Sequence, residues 1–276
     1  MKKRISFVFA FILVCCTALS GLSSADPAKR SEAELNSILL KSGMPQESIN
    51  SLDYDTKSFI IQESGENLVF GGSSKQDFKM DQETGELTEI PEIKGVILPQ
   101  DYIPTADLTL TLNHFTSAGL DEIYSSFEWR TNPAMNPDGI YKDNFAIAVP
   151  DGWEIQSGKY AGAAQSWDVY LDHSEWSTPD SAMVNNGQPS NYSQYGASWS
   201  FSGDHSKRIL TKYKGTVKLT MKKKVSTANQ RVTTKYSQSR NNAFGSYGVQ
   251  LAWGALSVVF NSSPGSNDEA SMDLTW

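Results

Sequence analysis

Cysteine is almost missing from this chain: its 276 residues include two, Cys15 and Cys16, standing side by side. Both lie in the opening stretch MKKRISFVFAFILVCCTALSGLSSADP, where Lys2, Lys3 and Arg4 precede an apolar run from Phe7 to Leu19 and small residues end at Ser23-Ser24-Ala25. A charged end, an apolar middle and a small-residue site form the order of a secretory signal. The apolar run falls short of the roughly 20 residues that a membrane-spanning helix requires. Lipid attachment needs a small residue before the cysteine, whereas Val14 precedes Cys15 and Cys15 precedes Cys16. Cleavage is therefore expected after Ala25, releasing a secreted chain without cysteine. That composition excludes disulfides, thiol nucleophiles and thiolate metal sites.

Local catalytic signatures are also missing. The three histidines, His114, His173 and His205, show none of the HxxH, HExxH or HxH spacings that hold a metal. His114 and His173 fall in the apolar phase of their segments, which predicts buried, hydrogen-bonded rings. No GxSxG elbow, no serine three residues before a lysine and no phosphate-binding glycine loop occurs. Asn136-Pro137-Asp138-Gly139 resembles the middle of a calcium loop, but Ala134 and Phe145 stand where ligands are required. A turn is expected there, with Asp138 and Asp143 left as members of an irregular site. No cofactor and no metal are expected. Glycoside hydrolysis needs two facing carboxylates, and Glu128, Glu154, Asp168, Asp172 and Glu175 all stand near aromatics, but sequence supplies no distance between them.

Charge of one sign is missing from a long stretch. Three of the 24 basic residues belong to the first 25, leaving 21 against 31 acidic ones, a net charge of −10 for residues 26–276. Residues 207–267 carry 11 basic residues and no acidic one, whereas residues 26–206 carry 10 basic and 28 acidic.

What is present is strand-like alternation. Residues 26–100 begin with a capping-box pattern at Ser31–Glu34, apolar Leu35, Ile38 and Leu39, and further short helices near Pro45 and Asp55. Residues 64–100 read as a polar linker or hairpin with short strands at 68–70 and 95–98. From residue 101 the apolar residues recur with period two, as in Leu108, Leu110 and Leu112, in Phe145, Ile147 and Val149, and in Val217, Leu219 and Met221. About ten such strands, separated by Gly, Asn, Pro and Ser, predict a mainly β chain. The expected fold is an antiparallel β-sandwich over 101–276, preceded by a small α-helical N-terminal region over 26–100 and a signal over 1–25.

LLKSGMPQESINSLDYDTKSFI, together with SSFEWRTNP and DNFAIAVPDGW, resembles a group of uncharacterised secreted proteins of Gram-positive bacteria. The resemblance implies secretion and the same two-part layout, and it brings no catalytic residues.

Two features point to function. The segment GTVKLTMKKKVSTANQRVTTKYSQSR reads as a hairpin in which Lys218, Lys222 and Lys224 face outward beside Arg231 and Lys235. Like charges on neighbouring strands repel, so either an anionic partner or the acidic residues 26–100 should cover them. Among the aromatics between Trp153 and Phe201, Tyr170, Trp176 and Tyr192 fall out of the apolar phase, where a ring can stack on a sugar or seat in a lipid interface. The expectation is a secreted, non-enzymatic binding protein for an anionic cell-wall polymer, glycan or membrane surface. Nucleic acid is not expected, because the exported chain is acidic. A membrane-active β-rich protein and a carboxylate-dependent hydrolase are the alternatives.

Overall fold

The computed structural model describes residues 29–81, 86–91, 106–130, 143–168, 179–201, 210–239, 248–252, 257–261 and 267–276. No helix among them is long and apolar enough to cross a membrane.

Helix α1 (Glu32–Lys41) starts where the capping box places it: the Ser31 side chain accepts from the Glu34 amide, and the Glu34 carboxylate accepts from the Ser31 amide at 2.7 Å. That backbone contact holds the Glu34 carboxyl below its ordinary range. Helix α2 (Gln46–Asn50) follows Pro45, and α3 (Tyr54–Ser64) is capped by Asp53, whose side chain accepts from the Thr56 amide. Each helix is short and needs tertiary contacts for stability. Leu35, Leu39, Ile49, Ile60 and Ile61 supply them, packing on Phe115 and Tyr124 of the β region.

The strands are β1 (Val69–Met80), β2 (Leu87–Ile90), β3 (Leu108–Ser117), β4 (Leu120–Trp129), β5 (Asp143–Ala148), β6 (Trp153–Asp168), β7 (Asn191–Ser193), β8 (Gly196–Phe201), β9 (Leu210–Lys223), β10 (Arg231–Ser239), β11 (Gly248–Ala252), β12 (Ser257–Asn261) and β13 (Asn267–Thr275). A six-stranded sheet has the order β2-β1-β3-β4-β9-β6, a five-stranded sheet the order β13-β10-β5-β8-β7, and β11 pairs with β12. Every pairing is antiparallel. The chain is thus mainly β, with two packed antiparallel sheets and its α-helices at the N-terminal side.

The period-two reading holds at the core. Leu108, Leu110, Leu112, Ile123, Phe127, Val217, Leu219 and Met221 of the first sheet face Phe145, Ile147, Trp199, Val232 and Tyr236 of the second. Polar links tie the sheets together inside this layer. Trp129 Nε1 donates to Tyr236 Oη at 2.9 Å and Ser125 Oγ to Thr234 Oγ1 at 2.8 Å, while within the second sheet Tyr236 Oη donates to Asp143 at 2.6 Å. Burial first, and then the Asp143 carboxylate, push the Tyr236 hydroxyl well above its ordinary pKa.

Two departures from expectation matter for function. The first sheet extends N-terminally, because β1 pairs with β3 from Val69 to Phe78 and carries β2 on its other edge. Residues 69–80 and 87–90 therefore belong to the first sheet. The expected boundary near 100 and the strand at 95–98 lie outside the described residues.

The second departure corrects the expected hairpin. β9 pairs with β4 and β6 in the first sheet, and β10 with β13 and β5 in the second. Residues 224–230 cross from one sheet to the other instead of turning a hairpin. Lys218, Lys222 and Lys224 consequently do not lie beside Arg231 and Lys235.

Candidate functional site

The outer face of the first sheet carries Thr109, Thr111, Asn113, Glu122, Thr216 and Lys218, all buried. The helical layer covers it and meets its lysines with anions. Lys214 Nζ lies 3.0 Å from Asp53 and 3.3 Å from Asp55. Lys218 Nζ lies 2.8 Å from Glu122 Oε1 and donates to the Glu63 carbonyl oxygen at 2.8 Å. Ser64 Oγ donates to the same Glu122 carboxylate, and Tyr124 Oη lies 3.3 Å from it. Lys218 keeps its expected phase away from the inter-sheet core but is not a surface group. Burial raises the Glu63 carboxyl above its ordinary range; Lys218 opposes that shift and Glu122 adds to it.

The other expected cations take different surroundings. Arg231 pairs with Asp273, and Lys235 with Glu269, both across the β10–β13 ladder. Lys222 is exposed and stands across from Glu154 in the β6–β9 register. Lys224 is exposed at the end of β9, and its amide donates to the Gly152 carbonyl at 2.8 Å.

Lys224 and Tyr192, two residues singled out for unrelated reasons, meet in one open cleft of about 440 Å³. One wall begins with the turn Pro150-Asp151-Gly152 after β5. Gly152 has φ +87°, and a Cβ there would come within 2.7 Å of Val225 Cγ2 and Ala228 Cβ, so the turn requires glycine. Trp153 anchors the floor by donating to the Asn229 carbonyl at 2.8 Å. The wall then bows outward: Ile155 pairs with Met221 and Tyr160 with Leu219, so four residues of β6 between these pairs answer one of β9. This bulge re-aims Tyr160, the kind of local bend that strands use beside binding sites.

The opposite wall runs from Tyr192 to Tyr195. The Tyr192 ring is 62 % exposed and lies 6.0 Å from the Tyr160 ring at 42°. Burial, and then Tyr192, raise the Tyr160 hydroxyl above its ordinary pKa. Tyr160 in turn contacts Trp199 of the core edge-on at 6.3 Å, which fixes one side of the platform. Ser157, Ser193, Gln194, Asp151 and Glu154 surround the pair with hydrogen-bonding groups. Tyr160 and Tyr195 were not singled out from sequence. Gly158, inside a strand pattern and two residues before Tyr160, is the signal for the bulge.

Tyr170 and Trp176, like His173, His205, Asp138, Asp172 and Glu175, lie outside the described residues. His114 is buried and lies 2.8 Å from Asp121 through Nε2, with its ring stacked on Trp276 at 4.2 Å. Asp143 is taken by Tyr236. Of the carboxylates considered for hydrolysis, Glu154 lines the aromatic cleft and Glu128 a separate small cavity on the outer face of the first sheet. Among the described residues, no three His, Cys, Asp or Glu side chains gather where they could hold a metal ion.

No protein-family model and no curated protein matches the sequence. Among solved structures, a collagen-binding domain from a Staphylococcus aureus adhesin is 5 % identical, with 54 % of this chain and 86 % of that one covered and a TM-score of 0.27. The collagen-binding domain of Erysipelothrix rhusiopathiae surface protein RspB is 8 % identical, covering 59 % and 64 %, at a TM-score of 0.28. The major pilin subunit of Bacillus cereus is 9 % identical, covering 72 % and 51 %, at 0.33. Likeness at this level carries no argument about fold or ligand.

Proposed function

We propose that the chain is an exported, non-enzymatic binding protein whose aromatic cleft takes a carbohydrate chain. The observation that carries this reading is the tilted pair of Tyr160 and Tyr192 in an open cleft rimmed by hydroxyl, amide and carboxylate side chains. A sugar ring offers an apolar C–H face and a polar hydroxyl rim. A half-buried aromatic with polar neighbours answers both. An open cleft suits a polymer better than an enclosed small molecule. The exposed lysines Lys222 and Lys224 beside the cleft favour a glycan with some negative charge, such as a cell-wall polymer, and Glu154 offsets part of their field.

The test is calorimetric or fluorescence titration with soluble wall polysaccharide and with neutral and acidic oligosaccharides. Tyr192→Ala should abolish saturable binding while leaving the melting temperature unchanged. Lys222→Ala with Lys224→Ala should weaken only the acidic ligands and flatten their salt dependence. Unchanged binding by Tyr192→Ala sinks the proposal.

A further inference from the structure

A second cavity, of about 230 Å³, lies between α3 and the first sheet, away from the aromatic cleft. The side chains beneath α3 differ in size along its length. Under the C-terminal half of α3, Phe115 and Tyr124 fill the gap and pack on Ile60 and Ile61. Under the other end the sheet offers Ala163 beside Thr216, whose hydroxyl reaches only the Thr56 hydroxyl, 3.5 Å away. Close packing is the norm in protein interiors, and a space of this size between helix and sheet forfeits contacts that larger side chains would supply.

The walls define what would fill it. Tyr54 and Phe59 of α3 present aromatic surface, facing the small residues of β6 and β9. Gln62, Gln165 and Thr216 contribute hydrogen-bonding groups. The charges at this end balance: Lys214 is paired with Asp53 and Asp55, and Lys29 Nζ sits 4.6 Å above the Tyr54 ring. A charged guest would meet no unbalanced counter-ion here. The volume falls below the roughly 300–1,000 Å³ of sites for drug-sized ligands, so the guest is compact.

We infer that this cavity is a binding site for a small, uncharged, mainly apolar ring compound bearing one or two hydrogen-bonding groups. It is independent of the carbohydrate cleft.

The test uses the uncharged probe N-phenyl-1-naphthylamine with the intact protein. One saturable, blue-shifted fluorescence site is expected. Ala163→Leu, from the sheet side, and Ser58→Phe, from the helix side, should each weaken the probe at least ten-fold without lowering the melting temperature. Two variants are used because either one alone could misfold. Tyr192→Ala should leave probe binding unchanged, which separates this site from the carbohydrate reading. Absence of a saturable site in the parent protein, or wild-type probe affinity in either folded cavity-filling variant, overturns the inference.

Discussion

Lys218 Nζ lies 2.8 Å from Glu122 Oε1, with both side chains at most 9 % exposed beneath the helical layer. Their strands are neighbours, so the pair sits within one sheet, while Glu63 and Ser64 complete its shell from α3. A buried pair of this kind contributes less than its attraction suggests, because both ions lost their water. Breaking it is another matter. Lys218→Met strands the Glu122 carboxylate and should cost about 3–5 kcal/mol. Replacing both residues by apolar ones should recover most of that loss. Urea unfolding of the two single variants and the double variant measures the coupling.

Glu63 predicts a dependence on pH. Its folded-state carboxyl titrates above the ordinary value of 4.5, chiefly through burial, so the fold favours the protonated form. Below the ordinary value the group is neutral whether folded or unfolded, and it contributes nothing. As pH rises through the raised value, the charge appears in a desolvated place and stability falls. Glu63→Gln should therefore melt higher than the parent at pH 7 and match it at pH 4. The gain is modest, because the group keeps partial contact with solvent.

Asp53 serves two contacts at once, accepting from the Thr56 amide at the start of α3 and pairing with Lys214 at 3.0 Å. Asparagine preserves the first contact and removes the second, whereas alanine removes both. Asp53→Ala should be less stable than Asp53→Asn by about 1 kcal/mol, the usual worth of an N-cap. Equal melting temperatures would show that the cap is idle.

Two glycines allow close backbone approaches that no other residue permits. A Cβ on Gly71 would lie 1.9 Å from His114 Nδ1, and one on Gly196, at φ +148°, would lie 2.1 Å from the Ile147 carbonyl oxygen. Gly196→Ala combines backbone strain with a clash against backbone, which cannot swing aside. It should destabilise by more than the ~1–3 kcal/mol of ordinary overpacking. Gly71→Ala meets a side chain and should force the His114 ring off Trp276, visible as a change in tryptophan fluorescence.

Much of this fold is written in local pattern. Leu108 to Leu112, Phe145 to Val149 and Val217 to Met221 announce both their strands and the faces they bury, because period two leaves no other amphipathic solution. β1 is harder to see. FGGSSKQDFKM is polar on both faces from Gly71 to Asp77, with Phe78 and Met80 alone turned into the core at its end, and β3 offers it a paired edge. Sheet membership is not local at all. The spacing between Met221 and Val232 suits a hairpin as well as a crossing between sheets. What separates the strands is Tyr236 reaching Asp143, 93 residues away. At the cleft, Tyr192 and Lys224 each read as exposed. That they meet depends on the Gly152 turn and the β6 bulge, which bring distant segments together.

The position of β10 has a consequence for the time course of folding. It occupies the interior of the five-stranded sheet, between β5 and β13, although both β5 and β8 precede it in the chain. β5 can pair with β8 early, but its other edge, including Phe145 and Ile147, has no ladder partner until residues 231–239 arrive. Pairings of such long sequence separation are slow to form, and an unpaired apolar edge recruits other chains in the meantime. The interval before β10 docks is thus the vulnerable stage in this protein's life. A molecule built this way gains from being held extended until its last strands are available, and then collapsing in one step.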